Sequence, residues 1–279
     1  MSSSKSEPVR DEQAKKGIEK PVDEPAKKGA EHPVIEITDL KKSFGDLDVL
    51  KGVSLKLYNG ENLVVLGKSG TGKSVLIKCV IGLLRGYEGT IKVFDKNITT
   101  LTKDEMDLLR QKIGFLFQSG ALYDSMTVQQ NIEFPLRRIN KDLNENQVNE
   151  KVNEVLENVG LADSLKKMPS QLSGGMRKRI SLARSIVLNP LIMLYDEPTT
   201  GLDPVTSDEI SLLINDIQKK YKTSSLIITH DIRCAHATAD RIIMLKEGEV
   251  YKEGKPAEFD KSSDPEIKSF FLEVGQSYE

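Results

Sequence analysis

The octapeptide GKSGTGKS at residues 67–74 constrains the fold of this 279-residue chain more than any other stretch. The strand-like run NLVVL precedes it, and the helical pattern SVLIKCVIGLL begins with its last residue. The spacing of its glycines, lysine and serine matches the P-loop, whose backbone N–H groups surround phosphate oxygens. A strand, this loop and a helix in succession predict an α/β fold, because the strand needs a sheet and the helix packs on that sheet.

The loop predicts a binding site for the phosphates of ATP. Its glycines let the backbone wrap around the phosphates. Lys73 would place a cation on the β- and γ-phosphate oxygens, and the Ser74 hydroxyl would bind Mg²⁺. The residues that we assign to ATP binding in this loop are Gly67, Lys68, Ser69, Gly70, Thr71, Gly72, Lys73 and Ser74.

A second apolar run, in LIMLYDEP, ends in the acidic pair Asp196 and Glu197. In α/β proteins, functional residues collect at the carboxyl ends of the strands. We expect Asp196 to hold the Mg²⁺ ion. Glu197, one residue further, is expected to orient or deprotonate the water that attacks the γ-phosphate. By itself such a pair would be an ordinary strand-to-turn feature, but the P-loop upstream favours the catalytic interpretation.

Two further apolar runs end in polar residues at the same predicted sheet edge. Gln118 ends IGFLFQ, and His230 ends SSLIITH. We predict that His230 senses the γ-phosphate, the alternative being a structural histidine. Gln118 is predicted to contact either Mg²⁺ or the attacking water. The predicted catalytic residues are therefore Glu197, His230 and Gln118, and the predicted Mg²⁺ ligands are Ser74, Gln118 and Asp196.

The apolar patterns predict three structural parts. The runs VIEIT, DVLKGVSLKLY and EGTIKVFD are short, β-rich and partly alternating, which favours an antiparallel sheet. Continuous apolar runs such as NLVVLG and SSLIITH are typical of strands buried on both faces of a mostly parallel sheet. Residues 103–111 and about 145–189 have helical patterns. We therefore predict an α/β core sheet with an antiparallel β subdomain and a helical insert at about 105–185.

The composition limits the kinds of partner. The formal net charge of -2 gives no basic surplus that would favour DNA or RNA, so no nucleic-acid partner is expected. No stretch approaches the roughly 20 apolar residues that cross a bilayer, and no apolar segment of signal-peptide type opens the chain. We therefore expect a cytoplasmic protein that meets a membrane only through another protein. The two cysteines are expected to be reduced thiols in the core.

The two ends of the chain differ from its centre. Residues 1–33 are polar and contain a near duplication, DEQAKKGIEKPV followed by DEPAKKGAEHPV. We expect a disordered tail here, because it cannot bury enough apolar area to offset its chain entropy. The main domain is expected to span 34–260. In the C-terminal extension, 261–279, Phe270, Phe271 and Leu272 are expected to anchor a short helix on the core or on a partner subunit.

A second stretch suited to anions lies downstream, in QLSGGMRKRI. Ser173, Gly174 and Gly175 stand at the start of an amphipathic helical pattern, where N–H groups attract anions. Together with GKSGTGKS, the motifs LSGGM, LIMLYDEPTTGLD and ITHD resemble, in their order and spacing, the nucleotide-binding subunit of ABC transporters. The resemblance covers residues 34–260 and implies a P-loop NTPase fold of the ABC cassette type.

The resemblance implies an ATPase that works as a homodimer. In that family two cassettes pack head to tail, so that residues 173–175 of one copy close over the ATP held by the P-loop of the other. The resemblance also implies that Phe44, in KKSFG, stacks on adenine, and that Asp203, in TTGLD, lies at the dimer interface between the two ATP sites. Glu197 matches the catalytic carboxylate of the family, and His230 matches its switch histidine.

Two details indicate a subfamily. Many importer cassettes have Gln after LSGG, where this chain has Met176. That substitution and the segment SGALYDSMTVQQNIEFPLR after Gln118 look most similar to the ATPase of Mla-type phospholipid transport systems, whose complexes contain Mce-domain lipid-binding proteins. This resemblance implies an integral membrane permease and an Mce-domain protein as partners. It also implies a peripheral position on the cytoplasmic face of the inner membrane.

Three alternatives stay open at this stage. Amino-acid and methionine importers have segments similar to the one after Gln118. A soluble ABC protein that acts on ribosomes or DNA is disfavoured by the single cassette and by the lack of a heptad tract. A cassette that binds nucleotide without hydrolysing it is disfavoured because Glu197, His230 and the LSGG motif are all present.

Overall fold

A computed structural model describes residues 32–275 of the chain. The expected tail 1–33 lies outside these residues except for its last two positions, as do the last four residues of the expected extension. The strands are β1 (Pro33–Phe44), β2 (Leu47–Tyr58), β3 (Asn62–Leu66), β4 (Glu88–Val93), β5 (Lys96–Asn97), β6 (Ile113–Leu116), β7 (Ile192–Asp196), β8 (Ser224–Thr229), β9 (Arg241–Lys246) and β10 (Glu249–Gly254). The helices are α1 (Lys73–Val80), α2 (Lys103–Gln111), α3 (Val128–Ile139), α4 (Glu145–Asn158), α5 (Gly174–Ile186), α6 (Pro204–Tyr221), α7 (Ile232–Thr238), α8 (Pro256–Asp260) and α9 (Pro265–Gly275).

The N-terminal strands form the predicted antiparallel sheet, with the order β2-β1-β4-β5. Strand β4 crosses β1 very closely at Gly89, which has a φ of +89°. A β-carbon at that position would lie 2.3 Å from the carbonyl oxygen of Asp39. Glycine is therefore required for this approach of the two backbones.

The second sheet has six strands in the order β10-β9-β3-β8-β7-β6. Neighbouring strands from β9 to β6 run parallel, and β10 joins the edge antiparallel to β9. Every residue of β3, β7 and β8 is buried, as the continuous apolar runs predicted. The prediction of an antiparallel β subdomain and a mostly parallel α/β core sheet is confirmed.

Side-chain alternation in the core sheet separates two hydrophobic cores. Along β3, Val64 and Leu66 belong to a core shared with α3, α4, α5 and α6. Leu63 and Val65 belong to a core shared with α1 and the antiparallel sheet. Successive residues of a strand point to opposite faces, so one buried strand contributes to both cores. The loop after β3 therefore leaves the sheet from a position that is fixed from two sides.

The helical part lies mainly after β6. The stretch 105–185, predicted as a helical insert, also contains β6, which pairs with β7 in the core sheet because its residues are apolar on both faces. Helices α3 and α4 each begin with a capping box, in which Thr127 and Asn144 accept the N–H of the third helical residue. The pattern predicted as helical at about 145–189 is divided by short 3₁₀ turns between α4 and α5.

The described part of the C-terminal extension packs on the core of the same chain. Phe270 in α9 is 1% exposed, and the ring of Phe271 makes an edge contact with His236 of α7, with 5.9 Å between the ring centroids. No helix within residues 32–275 combines the length and apolar character that crossing a bilayer requires.

Candidate functional site

The P-loop connects β3 to α1 and adopts a backbone conformation that depends on glycine. Gly70 and Gly72 have φ values of +84° and +97°, in the left-handed region. A β-carbon on Gly72 would also lie 2.9 Å from the carbonyl oxygen of Val49. Gly72 caps α1 without any side-chain acceptor, so the first N–H groups of this helix are not capped by a side chain. Such a helix start is suited to bind phosphate.

Lys73 is a buried cation at the start of α1. Its Nζ donates to the carbonyl oxygens of Gly67 and Lys68, at 2.7 and 2.9 Å. It also lies 3.5 Å from Oε1 of Glu197. Burial lowers the pKa of Lys73, while the nearby Glu197 carboxylate favours the charged form. The carbonyls of the loop and one carboxylate therefore hold this ammonium in place.

Glu197 immediately follows β7, and its carboxylate lies between the basic groups of Lys73 and His230. Its Oε2 lies 2.8 Å from Nδ1 of His230 and also accepts the Thr200 hydroxyl at 3.2 Å. Burial raises the pKa of Glu197, but the His230 hydrogen bond and the Lys73 charge outweigh it and leave the pKa below the usual range. The same hydrogen bond raises the pKa of His230. The carboxylate is thus ionised near neutral pH and paired with His230.

Asp196 and Ser74 form an oxygen-rich pair beside Glu197. The Ser74 hydroxyl donates to Oδ1 of Asp196 at 2.9 Å, and only 3% of Asp196 is exposed. Burial raises the pKa of Asp196, which indicates that its negative charge lacks full compensation from the protein. Carboxylate and hydroxyl oxygens are ligands that Mg²⁺ accepts, so this pair fits the ion predicted from the sequence.

Lys73, Ser74, Glu197 and His230 line one cavity. Four of the predicted segments, which are distant in sequence, meet there: the P-loop, Gln118 after β6, Glu197 after β7 and His230 after β8. Parallel strands bring their carboxyl ends to one sheet edge, which explains the convergence. Two lining residues, Val49 and Val75, were not predicted. The lining residues are Val49, Ser69, Gly70, Gly72, Lys73, Ser74, Val75, Gln118, Glu197 and His230.

Several predicted residues do not line this cavity: Gly67, Lys68 and Thr71 of the P-loop, Asp196, Phe44, Asp203 and residues 173–175. Phe44 ends β1 with 46% of its surface exposed, and the Lys42 ammonium lies 4.9 Å from its ring centroid. Residues 173–175 open α5, where the Ser173 hydroxyl accepts the N–H of the third helical residue at 3.2 Å. Asp203 caps the neighbouring helix α6.

The LSGG segment and the start of α6 pack directly against each other. A β-carbon on Gly175 would lie 2.5 Å from Cγ2 of Thr206, and one on Gly174 would lie 3.4 Å from Leu202. Thr206 in turn donates both its N–H and its hydroxyl to Asp203. The LSGG segment and the start of α6 therefore form one continuous surface.

Sequence reasoning missed two buried polar connections near the cavity. The Lys178 ammonium on α5 donates to backbone carbonyls of Gln118 and Glu197. The Thr199 hydroxyl donates to Asp231 at 2.9 Å and joins the turn after β7 to the turn after β8. Neither pairing has a sequence motif of its own, because each depends on how distant segments pack.

The geometry defines a class of protein. A phosphate-binding loop with a buried lysine, a serine–aspartate pair and a glutamate held by histidine together provide the groups of a P-loop nucleoside-triphosphatase.

Comparison with known proteins identifies the family. Residues 50–200 match the family model described as "ABC transporter", and the chain belongs to this family. "Protein TRIGALACTOSYLDIACYLGLYCEROL 3, chloroplastic" of Arabidopsis thaliana is 40% identical over 252 residues, covering 85% of this chain and 72% of the relative. "Methionine import ATP-binding protein MetN" of Rhizobium johnstonii is 38% identical, and the match covers 79% of this chain and 60% of the relative. "Probable ribonucleotide transport ATP-binding protein mkl" of Mycobacterium tuberculosis is 42% identical, and the match covers 85% of this chain and 66% of the relative.

A solved structure is similar over nearly its whole length. The ATP-binding cassette MJ0796, solved as a dimer in a post-hydrolysis state with ADP and Pi, has a TM-score of 0.73 and 31% identity. The match covers 80% of this chain and 98% of that chain. The chain described here is thus an ABC cassette ATPase and the ATP-binding subunit of an ABC transporter.

Proposed function

We propose that this chain is the ATPase of a phospholipid-transporting ABC system, in which two copies drive an integral membrane permease that works with an Mce-domain lipid-binding protein. The cargo proposal rests on the similarity to the Arabidopsis relative, whose name contains that of a glycolipid. It also rests on Met176, directly after the LSGG motif, and on the segment that follows Gln118. The proposed position is peripheral, on the cytoplasmic face of the inner membrane.

The observation that carries the dimer proposal is the position of the LSGG segment. Residues 173–175 are not among the residues that line the P-loop cavity of their own chain. Gly174 and Gly175 open α5, and the Ser173 hydroxyl caps only the third N–H group of this helix. The N–H groups of the first turn would then reach the γ-phosphate held by Lys73 of a second copy. Dimeric cassette structures of similar sequence support this arrangement.

Within one site, the residues divide the work of hydrolysis. Lys73 and the N–H groups of the P-loop bind the triphosphate, and Phe44 stacks on the adenine. Ser74, Asp196 and Gln118 would hold Mg²⁺, which would supply positive charge to the phosphate oxygens. Glu197 orients the water and accepts its proton, and His230 fixes the direction of that carboxylate through the 2.8 Å hydrogen bond.

An exposed aromatic surface supports the permease proposal. Tyr123 and Phe134 are 45% and 37% exposed, with 5.2 Å between their ring centroids. The Arg184 guanidinium lies 6.0 Å from the Tyr123 ring. Both aromatic residues lie in the segment that follows Gln118, so a permease bound there would be connected with the catalytic cavity through a short stretch of chain.

The composite site can be tested with two mixed dimers. One combines a Ser173→Ala copy with a Lys73→Ala copy, and the other combines a copy that carries both substitutions with an unchanged copy. If the sites are shared, the first dimer keeps one complete site, whereas the second keeps none. Phosphate release should therefore be higher in the first dimer. The opposite order would show that each copy closes its own site.

The cargo and partners can be tested by affinity capture from native membranes. The tagged chain should carry with it a permease, an Mce-domain protein and bound phospholipid. A tagged Tyr123→Ala/Phe134→Ala variant should fold but lose these partners, because its docking surface is removed. Methionine import is the second candidate, favoured by the 38% identity to the methionine import relative. Capture of an amino-acid permease without lipid would support it and contradict the lipid proposal, and capture of ribosomes would contradict both.

A further inference from the structure

Lys178 is a buried lysine with a well-defined pair of acceptors. It lies on α5 and is 6% exposed. Its ammonium donates to the carbonyl oxygen of Glu197 at 3.2 Å and, over a shorter distance, to that of Gln118. Gln118 follows β6 and Glu197 follows β7, and these strands are neighbours in the core sheet. One ammonium therefore joins a helix to the two segments that carry cavity residues.

Lys178 supports the segments around it through its hydrogen bonds more than through the space that its side chain fills. Burial of an ammonium is costly unless hydrogen bonds and opposite charges compensate it. Desolvation lowers the pKa of Lys178 to about 8, while Asp196 and Glu197 favour the charged form. An apolar side chain of similar length would fill the same space without that cost. The two carbonyl contacts are what only a donor can supply.

The backbone of Glu197 needs such support. Its φ of +50° lies in the left-handed region, which a residue with a β-carbon adopts only when its surroundings hold it there. The N–H of Glu197 donates to the carbonyl oxygen of Ile228 at 2.9 Å, and its carbonyl accepts Lys178. Both backbone polar groups of this residue are therefore fixed, one by the core sheet and the other by α5.

We propose that Lys178 is a positioning residue for ATP hydrolysis. It holds Gln118 and Glu197 in their catalytic positions by binding both of their backbone carbonyls to helix α5. This inference rests on the proposed function, because it takes Gln118 and Glu197 as groups that act on ATP. Helix α5 also begins with residues 173–175, the surface proposed to contact the second copy. Helix α5 thus connects the surface proposed to close the ATP site of the second copy with the turn that carries Glu197 in its own copy.

The test uses the complete transporter and compares three substitutions of Lys178. Lys178→Met removes the donors and keeps the length, so kcat should fall about tenfold or more while KM for ATP stays within about twofold. Lys178→Arg and Lys178→Gln keep N–H donors, and each should restore part of kcat. Lys219→Met removes an exposed lysine on α6 and should leave both constants unchanged. Equal loss of kcat in all three Lys178 variants, or unchanged kcat in Lys178→Met, would overturn the proposal.

A second measurement separates positioning from damage to the interface. In a Glu197→Gln background, ATP should still assemble the dimer when Lys178→Met is added, because residues 173–175 are intact. Size-exclusion chromatography with ATP measures this assembly. Loss of the dimer on addition of Lys178→Met would overturn the positioning role. Failure of Glu197→Gln alone to form an ATP-dependent dimer would instead count against the proposed function.

Discussion

Oε2 of Glu197 lies 2.8 Å from Nδ1 of His230, so the residues that follow β7 and β8 form one hydrogen-bonded pair. The backbone N–H of His230 points to the same oxygen at 3.3 Å. The other carboxylate oxygen faces Lys73. In this geometry each oxygen of Glu197 has its own basic neighbour, and a phosphate bound at Lys73 would draw that lysine away from the carboxylate.

Replacing Glu197 by Gln should separate binding from hydrolysis. The amide keeps the shape of the side chain but cannot accept a proton, so ATP should still bind and turnover should fall by about 100-fold or more. Phosphate release by the assembled complex measures the rate. Glu209→Gln is a matched control, since Glu209 lies exposed on α6, where it pairs with Arg179 of α5, and surface ion pairs contribute little. Parental turnover in Glu197→Gln would contradict the catalytic assignment.

The pKa of His230 should depend on Glu197. The hydrogen bond to Glu197 raises this pKa above 6.5, whereas burial lowers it. In Glu197→Gln the raising contribution disappears, so the pKa of His230 should fall. A ¹H NMR titration can follow it, because the chain has three histidines and a His230→Gln variant assigns the signal. An unchanged pKa of His230 would show that the pair does not form in solution.

The same pair should make stability depend on pH. Since the folded-state pKa of His230 is raised, its contribution is complete below the unfolded value near 6.5 and is lost as pH rises through the folded pKa. Since the folded-state pKa of Glu197 is lowered, its contribution is lost as pH falls from the unfolded value near 4.5 through the folded pKa. The excess thermal stability over His230→Gln should therefore be largest between these limits.

Phe44 should contribute to nucleotide affinity and not to the fold. It is 46% exposed, and one face of its ring is near the Lys42 ammonium. Base stacking on an aromatic ring contributes about 1–3 kcal/mol, so Phe44→Ala should weaken ATP binding by roughly fivefold to 100-fold. Leu47→Ala, in the same hairpin and 66% exposed, serves as the control in an equilibrium binding assay. Equal affinity in both variants would rule out stacking at Phe44.

The two sheets could be predicted because they depend on local sequence patterns. Continuous apolar runs identified the buried parallel strands, and their carboxyl ends bring Gln118, Glu197 and His230 to one edge. Helix α3 lies within the predicted helical insert, but no helical pattern was identified over its own residues. Pro135 lies inside it and removes a backbone donor, which argues locally against a helix. The burial of Ile132 and Leu136 against the core compensates, and that packing is a tertiary effect.

The burial of Lys178 could not be predicted from the sequence. A lysine within an amphipathic helical pattern is normally exposed, so nothing in the pattern indicates burial. Its two acceptors are backbone carbonyls, which every residue has, and they lie 60 and 19 positions away in the chain. Only the packing of α5 against the segments after β6 and β7 makes this contact visible.

The junction between α5 and α6 gives a prediction in which stability and function separate. Gly175→Ala would place a methyl group 2.5 Å from Cγ2 of Thr206, whose hydroxyl and N–H bind Asp203. Such overpacking costs about 1–3 kcal/mol, so the free energy of unfolding should fall. Thr206→Ser removes the clashing methyl but keeps the hydroxyl. The double variant should therefore regain most of the stability of the parent in a denaturant titration.

ATP hydrolysis by the same double variant adds the functional half of the argument. If Gly175 serves only the packing of α5 on α6, the recovery of stability should restore turnover completely. We expect turnover to stay below the parental rate, because a β-carbon in the LSGG segment also occupies space next to the N–H groups proposed to meet the phosphate of the second copy. Thr206→Ser alone is the control and should keep both properties. Full turnover in the stable double variant would contradict the proposal that ATP of the second copy approaches Gly175 closely.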